Sequence, residues 1–190
     1  MKKNECRKQM MKRLTSMTRE EREEIETSIH RNLFSSSLWK NAKVIGVTIS
    51  NNGEWDTHRI IRQGWIEGKK VAVPKTVPQS KKLEFYLIED FSQTEKGFYQ
   101  LIEPLPEKTE KISKQNIDLL IVPGVIYNSS GYRIGFGGGY YDRFLMDFPQ
   151  TTVSLLSVHQ LNEKIPIEAH DIPVDYLILE ERILSVHECD

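Results

Sequence analysis

Cysteine is nearly absent: the 190-residue chain has two, Cys6 and Cys189, near opposite ends and in no C-x-x-C pair. That usage argues against a disulfide framework or a zinc ribbon and suits reduced thiols. Long apolar runs are missing too. No stretch approaches the ~20 apolar residues that cross a bilayer, and the polar N-terminus has no apolar signal-peptide core, so a cytoplasmic protein is expected. Net charge is equally scarce. The 26 Lys and Arg against 27 Asp and Glu leave −1, so no global field draws the chain to nucleic acid or membrane. The five histidines are scattered, with no H-E-x-x-H, G-x-S-x-G or Cys–His signature. Zinc hydrolysis and nucleophilic hydrolysis therefore lack support.

What is present describes one globular α/β domain over residues 1–190. Hydrophobic residues make up 38% of the chain, ordinary for a packed core. The basic N-terminal stretch, with Met10, Met11 and Leu14 on one face, reads as a first helix. Thr18 followed by Glu21 is a capping box, and Ile25, Ile29 and Leu33 recur every four residues. That predicts a second helix ending in the serines at 35–37. VIGVTIS at 44–50 reads as a buried strand and NNGE as a turn. Asp56 is placed to cap a helix running to Glu67, which Gly68 stops. Strands are expected at 70–75, 83–88, 118–124, 152–158 and 174–179. Strands alternating with helices imply a mostly parallel sheet covered on both faces, with any site at the strands' carboxyl ends.

Four groupings could carry chemistry. RIGFGGGYYDR at 133–143 packs four glycines into five positions, a backbone open to close ligand approach just before a predicted helix. It matches neither the G-x-x-x-x-G-K-[ST] nor the G-x-G-x-x-G phosphate template, and a flexible turn is the alternative. Lys3 and Arg7 share one helix face at i and i+4, as a phosphate clamp or as a solvated basic surface. Glu54, in the turn after the first strand, could accept two N–H bonds from an aminopyrimidine or be a surface glutamate. Asp142, Asp171 and Asp175 are candidate magnesium ligands, since that ion takes one or two carboxylates beside phosphate oxygens.

PGVIYNSSGYRIGFGGGYYDRFL closely resembles the signature of the 5-formyltetrahydrofolate cyclo-ligases, also called methenyltetrahydrofolate synthetases, approximately P-G-x-x-F-D-x-x-G-x-R-L-G-x-G-x-G-Y-Y-D-R. The K-x-x-x-R start, the G-E-x-D-T turn and the late V-D before an apolar strand fall in the family's order. The resemblance thus spans nearly the whole chain. Asn128 stands where the family has aspartate, Ile134 replaces leucine, Trp55 stands where a small aliphatic is common, and SLLSVHQ at 154–160 is a weak form of G-L-A-F-x-x-Q.

The resemblance implies a three-layer α/β/α sandwich similar to the ribose-phosphate isomerase and CoA-transferase group. It implies the conversion of 5-formyltetrahydrofolate to 5,10-methenyltetrahydrofolate with ATP and Mg2+, releasing ADP and phosphate. Carried over by position, Lys3, Asn4, Glu5, Cys6 and Arg7 would contact ATP, as would Arg133, Ile134, Gly135, Phe136, Gly137, Gly138, Gly139, Tyr140 and Tyr141. Ile49 and Glu54 would hold the pterin, with Phe136, Gly137, Gly138, Gly139 and Tyr140 also facing the folate. Asp142 and Asp175 would bind magnesium. No covalent nucleophile is needed. The expected partners are small molecules, the expected state is a monomer, and neither nucleic acid nor membrane is expected. A phosphosugar or CoA-ester enzyme on the same sheet, or a non-catalytic nucleotide-binding module, would be the alternatives.

Overall fold

A computed structural model describes residues 2–51 and 53–187; Asn52 of the expected turn and Cys189 lie outside them. In chain order the elements are α1 (Lys3–Thr15), α2 (Arg19–Ser35), α3 (Ser37–Asn41), β1 (Val44–Gly46), α4 (His58–Ile66), β2 (Lys70–Val77) and β3 (Lys82–Ile88). Then come β4 (Thr94–Lys96), β5 (Ile102–Pro104), β6 (Glu110–Ile112), β7 (Leu119–Ile121), β8 (Ile126–Tyr127), β9 (Arg133–Ile134), α5 (Tyr140–Leu145), β10 (Thr151–Leu155), β11 (Tyr176–Ile178) and β12 (Ile183–Ser185). None of the described helices is long and apolar enough to cross a membrane.

The helices start as their local chemistry dictates. The Thr18 hydroxyl accepts from the Glu21 N–H, and the Glu21 carboxylate takes the Thr18 N–H, the reciprocal capping box expected for α2. The Asp56 carboxylate accepts from the N–H groups of His58 and Arg59 at the start of α4. Gly68 (φ +73°) follows the end of that helix.

Eight strands form the main sheet in the order β12-β11-β10-β7-β1-β2-β3-β6. The central β11-β10-β7-β1-β2 run is parallel, whereas β12, β3 and β6 are antiparallel additions at the edges. Successive residues of the central strands go to opposite cores. Ile45, Val71, Val73, Leu119, Ile121, Val153 and Ile178 pack with α2, α3 and α4. Ala72, Leu120, Val122, Leu156 and Leu177 pack with Phe144 and Leu145 of α5. A sheet buried on both faces is what a near-continuous apolar strand such as DLLIV requires.

The expected strands at 44–50 and 118–124 are shorter than their apolar runs. After the Val47 N–H bonds the Ala72 carbonyl, β1 leaves the ladder. Ser50 and Thr57 then exchange backbone-to-hydroxyl bonds, and the Thr57 hydroxyl donates to the Thr48 carbonyl. The β7 run ends at Pro123, which has no N–H to continue a ladder. Both chains therefore peel away at the carboxyl edge, and the space between them opens a cleft. The short hairpins β4–β5 and β8–β9 flank this edge, and α1 packs on β8.

Candidate active site

The cleft has a volume of about 370 Å³ and is lined by segments from several parts of the chain. From α1 come Lys3, Asn4 and Arg7, from the strand-1 turn Ile49 and Glu54, and from the 133–142 segment Arg133 through Asp142. Its size lies in the range of small-molecule sites.

The glycine loop forms its floor. Gly137 (φ +103°) and Gly139 (φ +67°) hold left-handed conformations that a side chain would strain. A Cβ at Gly139 would also strike the Arg143 guanidinium at 2.6 Å. Arg7 Nε donates to the Gly135 carbonyl at 2.6 Å, tying α1 to the loop. Phe136 is half exposed beside it, a flat apolar face open to the cleft. The expected helix after the loop forms, but it has only six residues.

Charges are arranged around that floor. Arg133, with a nearly buried side chain, donates to the Ile172 carbonyl (2.7 Å) and to Asp142 Oδ1 (3.1 Å). The same Asp142 oxygen accepts the Ile172 N–H. Its other oxygen has no protein partner among the described residues. Lys3 Nζ contacts both carboxylate oxygens of Asp171 (2.6 and 2.9 Å) and Glu168 (2.7 Å). Burial alone would lower the Lys3 pKa and raise that of Asp171. The hydrogen bonds between them prevail, leaving the ammonium above and the carboxyl below their usual ranges. Glu54 Oε2 accepts the Asn51 N–H at 2.7 Å, and burial pushes the Glu54 carboxyl above its usual range.

Several residues assigned by position lie elsewhere. Asp175 opens onto a separate surface groove with Phe148, Thr151 and His187. Its Oδ2 accepts from the Thr152 N–H and hydroxyl, and its Oδ1 contacts His187 Nε2 at 2.9 Å. It sits before β11, beside the start of β10, where it fixes strand register. Asp142 and Asp175, expected to share one ion, are thus not gathered in the same cavity: Asp142 lines the cleft and Asp175 the separate groove. Of the three candidate aspartates, Asp142 and Asp171 line the cleft. Cys6 is buried against Val125, Ile126 and Ile134. Glu5 does not line the cleft, and its carboxylate accepts the Lys2 N–H to close the start of α1. Asp175→Asn is accordingly expected to keep turnover within about twofold while stability falls by ~1 kcal/mol, the worth of a disturbed hydrogen bond. Steady-state rates and a thermal melt check both.

The cleft also contains residues that carry no sequence signal. Leu101, just before β5, and Ile102 and Glu103 of β5 line the cleft as well. Glu103, nearly buried, accepts from the Thr76 N–H (3.0 Å) and hydroxyl (2.5 Å) and so fastens β5 to β2. Only the pairing of strands distant in sequence brings this segment to the site. Asn128, the departure from aspartate, is buried, and its Oδ1 accepts the Tyr132 N–H in the β8–β9 turn.

The pattern of the 5-formyltetrahydrofolate cyclo-ligase family matches residues 1–180. The 5-formyltetrahydrofolate cyclo-ligase of Escherichia coli K12 is 32% identical over 146 residues, covering 75% of this chain and 80% of the relative. The Mus musculus enzyme of that name is 25% identical over 186 residues, 92% of either chain. The solution structure of Aquifex aeolicus 5,10-methenyltetrahydrofolate synthetase superposes with a TM-score of 0.87 at 28% identity, covering 100% of this chain and 95% of that one.

Proposed function

The chain belongs to the 5-formyltetrahydrofolate cyclo-ligase family, and we infer that the cleft at the carboxyl edge of its sheet is where ATP and 5-formyltetrahydrofolate meet. The enzyme converts 5-formyltetrahydrofolate to 5,10-methenyltetrahydrofolate at the expense of ATP. The observation that supports this use of the cleft is one cavity gathering Arg7, the glycine loop, Glu54 and Asp142. Family membership over the length of the chain displaces the phosphosugar, CoA-ester and non-catalytic readings.

An N-formyl amide is a poor electrophile. Transfer of the γ-phosphoryl group to its oxygen releases ADP and makes that oxygen a leaving group. N10 then attacks the formyl carbon, phosphate departs, and the ring closes. The protein's task is alignment and charge dispersal. Arg7, and Lys3 once exchanged from Asp171, face the phosphates over the N–H groups of the loop. Glu54 receives the N–H donors of the pterin, and Phe136 offers its ring to a flat heterocycle.

The donor set on the cleft also suits Mg2+: hard carboxylate oxygens, with one Asp142 oxygen unpartnered among the described residues and Asp171 lining the same cleft. When bound with ATP, that ion would neutralise phosphate charge. Asp142 and Asp171 are the residues that would hold it. The enzyme is read as a cytoplasmic monomer, which cell fractionation and light scattering test.

The decisive experiment mixes protein, 5-formyltetrahydrofolate, ATP and Mg2+ and follows the near-ultraviolet absorbance of the methenyl product together with ADP release. Absence of both signals would sink the reading. The Glu54 assignment makes a pH prediction. If the ionised carboxylate binds the pterin, the folate KM rises as pH falls through a pKa displaced above the ordinary glutamate value. Stability moves the other way. A carboxyl whose pKa is raised by folding favours the native state below its unfolded pKa, ~4.5, and that contribution is lost as pH rises through the folded value. Glu54→Gln is therefore expected to melt above the parent at pH 7, with the difference vanishing below about pH 4.5, while folate binding weakens. A pH series of melts checks the sign.

A further inference from the structure

We propose that Arg22, on α2 and outside the cleft, is a positioning residue that aims the Glu54 carboxylate. The inference rests on the reading of Glu54 as the group that holds the pterin.

The turn that carries Glu54 has little sheet to hold it, because β1 has already left the ladder at Val47. Arg22 supplies what the backbone lacks. Its Nη2 donates to the Glu54 backbone carbonyl, and its guanidinium lies over the Trp55 ring, 4.8 Å from the centroid. Its Nε is 3.2 Å from Glu26 Oε1, and that oxygen also accepts the Asp56 N–H at 3.1 Å. One i,i+4 pair on α2 thus grips three consecutive residues of the turn. From the other side, Trp55 Nε1 donates to Gln160 Oε1 at 2.7 Å, and Gln160 Nε2 donates to the Val125 carbonyl at 2.9 Å. The turn is clamped between helix and core, and its acidic side chain is left to face the cleft.

An unconstrained surface arginine keeps its rotamer freedom, and holding one in three contacts opposes that entropy. The grip also requires Arg22 and Trp55 together. A planar guanidinium can stack on an indole and donate sideways at once, which an ammonium cannot do.

The test compares Arg22→Met, Arg22→Lys, Glu54→Gln and the double variant Arg22→Met/Glu54→Gln by KM for each substrate, kcat and melting temperature. Methionine keeps the apolar stem and removes the guanidinium. Arg22→Met is expected to raise the folate KM roughly five- to thirtyfold, a loss in keeping with misplacement of a binding group. The ATP KM and kcat should stay within about twofold, and the melting temperature near the parent's. Arg22→Lys should recover only part of the loss. In the Glu54→Gln background, Arg22→Met should add less than about twofold, because the group it aims is already disabled. A parental folate KM in Arg22→Met, alongside a raised one in Glu54→Gln, overturns the role of Arg22 alone. Equal rises in both substrates' KM overturn it in favour of general destabilisation. A silent Glu54→Gln overturns the pterin assignment itself, and the proposal with it.

Discussion

Arg7→Ala is expected to raise the apparent KM for ATP about ten- to a hundredfold, with a much smaller change in the folate KM. The side chain has two tasks that alanine abolishes together. Its Nε donates to the Gly135 carbonyl at 2.6 Å, and its guanidinium lies against Gly137, within 3.4–3.7 Å of where a Cβ there would stand. It therefore holds the loop backbone while presenting charge over the N–H groups meant for phosphate. Loss of a charge-assisted hydrogen bond costs roughly 1.5–3 kcal/mol, which converts to that fold-change. Arg7→Lys should recover only a fraction, since an ammonium cannot make the sideways Nε bond and face the ligand at once. Equal losses for both substrates would mean that the loop had collapsed and that Arg7 is structural.

The second large effect is at Asp142. Asp142→Asn is expected to lower kcat by about two orders of magnitude, the scale of removing one preorganised charge from a reacting centre. It should also raise the Mg2+ concentration needed for half-maximal rate. Asparagine keeps an acceptor for the Ile172 N–H, so the loop should remain in place. It removes the negative charge opposite Arg133, whose side chain is only 3% exposed. That loss is worth about 1–2 kcal/mol, or a melting temperature lower by roughly 2–8 °C in a chain of this size. Titrating Mg2+ against rate, with a melt in parallel, separates the two consequences. An unchanged kcat and Mg2+ requirement would remove Asp142 from the cation and leave it as the partner of Arg133.

The site was legible in the sequence where local chemistry specifies it. Four glycines before YYD mark a backbone that must adopt left-handed angles, and Gly137 and Gly139 do so. Position along a motif was a weaker guide to function. Cys6 falls within the K-x-x-x-R stretch yet turns into the core, because helical periodicity sends i and i+4 to one face and the residues between them elsewhere. Asp175 and Asp171 are four residues apart in one loop-to-strand segment, and both are plausible metal ligands by type. Asp171 reaches the cleft wall, while Asp175 is drawn to the amino ends of β10 and β11 by Thr152.

By itself the sequence determined the caps of α2 and α4, the apolar strands of the parallel sheet, the glycine loop and the family. Each of these rests on contacts within a few residues or on a pattern of alternation, and such contacts form wherever the segment is placed. The tertiary structure decided which charges meet. Lys3 finds Asp171 across 168 positions, Arg22 finds Glu54 across 32, and Glu103 finds Thr76 across 27. Those distances close only when strands distant in the chain pair and their ends peel apart. The order of strands in the sheet, which no local propensity encodes, therefore sets the chemistry of the cleft.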